Sequence, residues 1–282
     1  MTWFFWIIAS VITTALANLF QRVVMRKKDS DPFGTTIIFQ FLCGLLVALF
    51  ALWKGFVFPS LGIHFWNLLA SAILWGLSSL YLFKAYQMLE SSEIAIITAC
   101  GAVVTIIASI LFLGETFTLQ QFIGTTLIIV SIILINIQKR KTFTLKKGTM
   151  YAFASVILSG LAVTNDAFIL RTYDVVSYTT LGFLLPGILL LILRPRAITT
   201  FKRLSKSAFS RPMVLLSLFY TAQAIAYYMA LTGAGASQVA PIYRANIILT
   251  VLLAVIFLKE RDNLLMKFIS AILVTAGVLL IK

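Results

Sequence analysis

The chain repeats itself. Residues 91–115, SSEIAIITACGAVVTIIASILFLGE, and residues 236–260, ASQVAPIYRANIILTVLLAVIFLKE, align at a shift of 145 positions. At that shift Ser92 meets Ser237, Ala95 meets Ala240 and Thr105 meets Thr250, while Phe112, Leu113 and Glu115 meet Phe257, Leu258 and Glu260. The same shift lays Ala9, Ser10, Val11 and Ile12 on Ala154, Ser155, Val156 and Ile157, and Leu16, Ala17 and Arg26 on Leu161, Ala162 and Arg171. A tandem duplication of this extent restricts the fold to two copies of one unit. The expected boundaries are 1–141 for the first copy and 146–282 for the second.

What the units are made of follows from their solvent. The sequence is 61% hydrophobic and 11% charged, against about 25% charged in a soluble domain. Too few charges exist to cover a water-facing surface, so most of the chain must face lipid. A bilayer core of about 30 Å needs roughly 20 apolar residues per helix. Ten runs meet that need: 3–24, 33–53, 66–88, 94–113, 118–137, 148–171, 176–193, 211–232, 237–258 and 264–281. The first run lacks a basic leader and a small-residue cleavage site and reads as a retained span. The expected fold is an all-α integral membrane protein of ten transmembrane helices. The loops are short, which argues against a separate soluble domain. The longest, 194–211, interleaves Phe201, Leu204 and Phe209 with basic residues, a pattern suited to lying on anionic lipid.

Five spans per copy is an odd number, so the second copy enters the membrane upside down. The basic residues agree. Arg22, Arg26, Lys27 and Lys28 follow span one, and only Lys54 follows span two; in the second copy Arg171 stands alone after span six, and Arg194, Arg196, Lys202, Arg203, Lys206 and Arg211 follow span seven. Loops after odd-numbered spans hold 19 of the 23 Lys and Arg. By the positive-inside rule these loops are cytoplasmic, both termini lie outside, and the two five-helix repeats are inverted. The net charge of +14 is thereby read as topology and headgroup contact, and nucleic acid is not an expected partner. Cys43 and Cys100 lie inside apolar runs, and His64 is read as an interfacial loop residue. No spacing of Cys and His suggests a metal or a cofactor.

Ionisable residues inside a span are costly and mark function by default. Asp166 lies about six residues before the end of span six, and Arg244 about seven after the start of span nine. At 1.5 Å per residue both sit roughly 10 Å below the same surface. Two readings stand open: a permanent structural pair, or a site in which Arg244 grips an anionic group while Asp166 answers an amine or carries a coupling proton. Arginine suits the first task because its planar fork makes two hydrogen bonds to a carboxylate or phosphate. Asn165, Gln223, Tyr227, Tyr228 and Asn246 lie near that depth; Asn18, Gln21, Lys84 and Thr98 lie toward the opposite side. Lys84 suits snorkelling to the interface better than ligand binding. Pro241, early in span nine, frees a backbone carbonyl close to Arg244.

Two five-span copies, each with a small-residue opening, an apolar span, FLGE or FLKE and a glycine-bearing last span, resemble the drug/metabolite transporter superfamily, EamA family. The matching residues are Ser92, Ala95, Phe112, Leu113, Gly114, Glu115 and Gly124, then Ala236, Ser237, Ala240, Pro241, Phe257, Leu258, Glu260 and Gly277. Lys259 departs from the pattern, standing where the motif has glycine. The resemblance implies a secondary transporter with a central cavity between spans one, three, four, six, eight and nine. It carries no universal substrate motif. Glu115 and Glu260 read as loop-organising or helix-capping groups.

The expected function is secondary active transport of a small metabolite, an amino acid, organic anion or related compound, by alternating access across the cytoplasmic membrane. A coupling proton or ion is left open, and the carrier is expected to be a monomer or weak homodimer among membrane lipids. The alternative is a flippase for an anionic lipid or polyprenyl-phosphate carrier. An enzyme is not expected, because one histidine and one deep acid are too few for a catalytic cluster.

Overall fold

The computed structural model describes residues 2–25, 31–101, 104, 107, 118–137, 146–170, 172–195, 210–233, 243, 246–260 and 264–281. Among these, helices account for all the regular structure: α1 (Thr2–Met25), α2 (Pro32–Lys54), α3 (Leu61–Met88), α4 (Ser91–Thr98), α5 (Leu119–Ile137), α6 (Lys147–Ile169), α7 (Val175–Leu193), α8 (Arg211–Gly233), α9 (Asn246–Phe257) and α10 (Leu264–Ile281). Six of them, α1, α2, α3, α6, α7 and α8, are long and apolar enough to cross a membrane. Their outward residues are apolar too: Phe5, Leu49, Trp53, Trp66, Ile157 and Ile192 are all more than half exposed. A surface apolar on this scale is far larger than the patches a soluble monomer tolerates.

The helices start where local chemistry starts them. Asp31 caps α2, its side chain accepting from Phe33 N at 3.1 Å, with Pro32 in the first turn. Asp174 caps α7, accepting from the backbone and the hydroxyl of Ser177 at 2.8 and 2.7 Å. α3 begins at Leu61, ahead of the expected span start at residue 66. This corrects the reading of His64: it is not a loop residue but lies in the first turns of α3. It is buried there, its ring stacked on Tyr173 at 5.9 Å.

Packing follows the duplication. Adding five to every helix number turns the α1–α8 contact into α6–α3, α1–α9 into α6–α4, and α2–α8 into α7–α3, while α2–α7, α4–α9 and α5–α10 map onto themselves. Small residues make several of these contacts close. A Cβ at Gly277 of α10 would stand 2.6 Å from Gly124 O of α5, and one at Gly44 of α2 would stand 2.5 Å from Leu184 of α7. In lipid, where apolar surface gains little by association, such approaches supply the dispersion contact that holds helices together.

Candidate functional site

Two polar assemblies occupy opposite ends of the bundle. At one end the C-terminal half of α6 meets the N-terminal parts of α3 and α7 and the C-terminal part of α8. α3 presents Asn67, Ser71, Trp75 and Ser78 at helical spacing, one polar stripe turned toward α6. Asn67 and Asn165 pair reciprocally: Asn67 Nδ2 donates to Asn165 Oδ1 at 2.8 Å, and Asn165 Nδ2 to Asn67 O at 2.9 Å. Three turns deeper, Ser78 donates to Ser155 O at 2.9 Å.

Between these contacts sits Asp166, 6% exposed. Trp75 Nε1 donates to its Oδ2 at 2.9 Å, and Ser71 Oγ to its Oδ1 at 3.5 Å. The Tyr178 hydroxyl donates to Oδ1 as well, and its oxygen stands 2.9 Å from Ser71 Oγ. Tyr228 of α8 lies within electrostatic reach of both Asp166 and Tyr178. All three donors are neutral, and among the described residues no cation lies within ion-pair distance of this carboxylate. A carboxylate so placed is solvated by fixed dipoles and remains open to a proton or an external cation.

The neighbouring aromatic group joins α8 to α9. Tyr227 packs on Tyr243 with ring centroids 4.8 Å apart and on Tyr228 at 5.9 Å. Gln223 Nε2 donates to the Tyr243 hydroxyl at 3.4 Å, and the Gln223 carbonyl accepts from Ser10 Oγ of α1 at 3.3 Å. Asn246 Nδ2 donates to Tyr243 O at 2.6 Å. A cavity of about 110 Å³ opens beside Tyr228, lined by Val47, Lys54, Asp174 and Thr179 among others.

The remaining sequence candidates are scattered. Asn18 donates to Thr250 Oγ1 at 3.2 Å, tying α1 to α9 near mid-bundle. Gln21 is buried, and its Oε1 has no partner among the described residues. Thr98 bonds back to Ala95 O at 3.0 Å within its own helix. Lys84 stands apart from the Asp166 group, near the other end. Arg244 and Pro241 lie outside the described residues, and with them the proposed pairing of Arg244 with Asp166.

The second assembly, at the opposite end, is built around Glu260. Its carboxylate accepts from Ser91 N at 3.0 Å, Ser92 N at 3.2 Å and Ser92 Oγ at 3.0 Å, so the turn after α9 caps the N-terminus of α4 in the other repeat. Arg22 Nε stands 3.9 Å from Glu260 and also donates to Tyr86 O. Lys267, 1% exposed, pairs with Glu90 and donates to Glu260 O at 2.9 Å. Lys259, where the motif has glycine, takes the left-handed φ of 56° that glycine would adopt freely. Glu115 lies outside the described residues.

The EamA-like transporter family profile matches residues 1–137 and again 146–282. The chain belongs to the EamA-like transporter family. An uncharacterised protein of Methanocaldococcus jannaschii is 43% identical over 67 residues, 24% of this chain; the chain spans about half of that relative's length, 49%. A solved crystal structure superposes with a TM-score of 0.63 at 14% identity, covering 99% of this chain and 96% of the other, a likeness of fold alone. As an EamA-like protein the chain is a multi-pass membrane protein of transporter type.

Within this transporter bundle, sequence reasoning passes over Asn67, Ser71, Trp75, Tyr178 and Tyr243. The first three carry a usable signal, because polar residues at positions i, i+4 and i+8 of an apolar helix define one face. Tyr178 and Tyr243 carry none; only packing brings them to Asp166 and Gln223.

Proposed function

We propose that this chain is a secondary active transporter that moves a small metabolite, an amino acid, organic anion or related compound, across the cytoplasmic membrane by alternating access, with Asp166 as its cation-responsive group. The observation that carries the reading is the buried Asp166 carboxylate, held by Trp75, Ser71 and Tyr178 with no cation among the described residues, in a chain of a transporter family. Burying an unpaired ion costs several kcal/mol. A proton or a substrate amine arriving at Asp166 relieves that cost, and its departure restores it. The cycle therefore has a site whose charge differs between loaded and empty states. Inverted five-helix repeats, 1–141 and 146–282, supply two mirror-related gates around that site. Tyr228, Gln223, Tyr227, Asn165 and Asn246 line the approach, and Arg244 receives the anionic end of the substrate. The Glu260 assembly, which ties the turn after α9 to α4 of the other repeat, serves as the gate on the cytoplasmic side.

The test is thermal unfolding of the detergent-purified protein against amino acids, organic anions and polyprenyl phosphates, with Asp166→Asn and Arg244→Gln beside the wild type. A ligand at 100 times its Kd adds roughly 2.7 kcal/mol to the folded state. The expected result is a soluble amino acid or organic anion that stabilises the wild type. The Asp166→Asn protein should bind it with a flattened pH dependence, and Arg244→Gln should not bind it. Stabilisation by polyprenyl phosphates alone would transfer the reading to lipid translocation. A ligand whose pH dependence is unchanged in Asp166→Asn would remove Asp166 from the coupling role.

A further inference from the structure

Lys84 is a basic residue inside a long apolar helix that neither polar assembly uses. Its ammonium stands 5.4 Å from the Tyr81 ring and 5.2 Å from the Tyr151 ring, and those rings stack at 5.8 Å, so α3 and α6 hold the charge between two aromatic faces. Its helix face is the outer one. Lys84 follows Ile73 by three turns and Trp66 by five, and both of those side chains are exposed, at 40% and 75%. On α6, Met150 beside Tyr151 is 59% exposed. The seam between α3 and α6 that carries Lys84 therefore faces away from the bundle centre.

The depth is also defined. Lys84 is four residues from the end of α3, and Tyr151 is four residues from the start of α6. Each is roughly 6 Å inside its helix end at 1.5 Å per residue. Lys147 lies one turn before Tyr151 on the same face and is exposed, and Lys146 precedes it as the helix N-cap. Among the described residues, no carboxylate lies within ion-pair distance of Lys84. The ring faces stabilise the cation, but a π-face does not replace an anionic oxygen as acceptor for its three N–H bonds.

We infer that the α3–α6 seam, with Lys84 between Tyr81 and Tyr151 and with Lys147 above, is a binding site for the phosphate of an anionic phospholipid. The headgroup phosphate accepts from the Lys84 ammonium and meets Lys147 at the membrane surface. The acyl chains descend along the apolar face toward Ile73, and the tyrosine rings sit at headgroup level as interfacial aromatics do. A freely diffusing anion fits less well, because the site opens sideways to lipid. The inference requires only that the chain sits in a bilayer, so it stands or falls independently of the role given to Asp166. Its consequence is mechanical. α3 belongs to the first repeat and α6 to the second, so a lipid bound across the seam clamps the two repeats together.

Thermal unfolding in a zwitterionic detergent tests it, with phosphatidylglycerol, phosphatidylcholine or inorganic phosphate added to the intact protein. Phosphatidylglycerol should raise the wild-type Tm, and the other two should not. In Lys84→Gln and Lys147→Gln the half-maximal phosphatidylglycerol concentration should rise roughly five-fold each, the change that about 1 kcal/mol per basic residue represents. Lys84→Arg, which keeps charge and ring stacking, should retain most of the effect. Equal shifts from phosphatidylglycerol and phosphatidylcholine would overturn the site, as would an unchanged response in both glutamine variants. A shift produced by inorganic phosphate would also overturn it, since the site would then serve a soluble anion. If Lys84→Gln fails to fold, Lys147→Gln and Lys84→Arg still decide the matter.

Discussion

Two aspartates one short loop apart do opposite work. Asp166 is enclosed in the bundle among neutral donors, where its charge is a liability that only a proton or cation removes. Asp174 sits just outside, at the N-terminus of α7, partly exposed. Burial works to raise its pKa, but the Ser177 backbone and hydroxyl bonds and the nearby Lys54 charge outweigh this and hold it below the ordinary aspartate value of 3.8. A carboxyl depressed in the folded state contributes stability that is complete above its unfolded pKa and is lost as pH falls through the folded one. Asp174→Ala should therefore lower stability by about 1 kcal/mol at neutral pH, a typical loss for an N-cap. The difference from wild type should hold down to about pH 4 and then shrink as the wild-type carboxyl protonates. Thermal unfolding of both proteins between neutral and strongly acid pH checks this. A gap that widens on acidification would contradict the sign.

The element on which both repeats converge is α4, whose N-terminus is completed by a residue from the other repeat. Helix ends leave four N–H groups unsatisfied, and here Glu260 takes those of Ser91 and Ser92 while Glu90 and Glu93 form a capping box on the same turn. Glu260 reaches them because the chain turns at Lys259 in a left-handed conformation. Two substitutions separate the turn from the cap. Glu260→Ala leaves buried donors unpaired and should cost about 1–3 kcal/mol, read as a lower Tm in detergent. Lys259→Val places a β-branched residue at positive φ and should cost about 1–2 kcal/mol, whereas Lys259→Gly should fold as well as wild type. The glycine of the FLGE motif is thus legible as a turn from sequence, and so is the capping glutamate. That the glutamate caps another repeat's helix is not legible, because nothing local encodes which N-terminus lies beside it. The same division runs through the Asp166 site. A lone acid in an apolar run announces itself, as do the long apolar helices. The start of α3 is less plain, because Gly62 and His64 interrupt an otherwise apolar stretch. The donors from α3 and α7 arrive only through packing.

At the scale of the whole molecule, the two ends differ in charge as well as in architecture. The Asp166 end receives the N-termini of α1, α3 and α7 and carries Lys54 with Asp174. The Glu260 end gathers Arg22, Lys267 and the Arg194–Asp31 pair at 3.2 Å. It also borders the loops that hold most of the basic residues. Arg22, Lys84, Lys147, Arg211 and Lys267, counted with those loops in the sequence, lie within α1, α3, α6, α8 and α10 but close to this same end. Basic segments stay on the cytoplasmic side during insertion, so the expected orientation has the Glu260 end inside and the Asp166 end outside. Cysteine labelling in intact cells tests this orientation against a quiet background, because Cys43 is buried and Cys100 lies within the bundle. Gly62 is exposed at the Asp166 end, with nothing within 4 Å of where a Cβ would stand. Pro195 is exposed at the Glu260 end. A membrane-impermeant maleimide should label Gly62→Cys in intact cells and Pro195→Cys only after permeabilisation. The reverse pattern would turn the molecule over. Asp166 would then face the cytoplasm, and the ion network around Glu260 would close the outer gate.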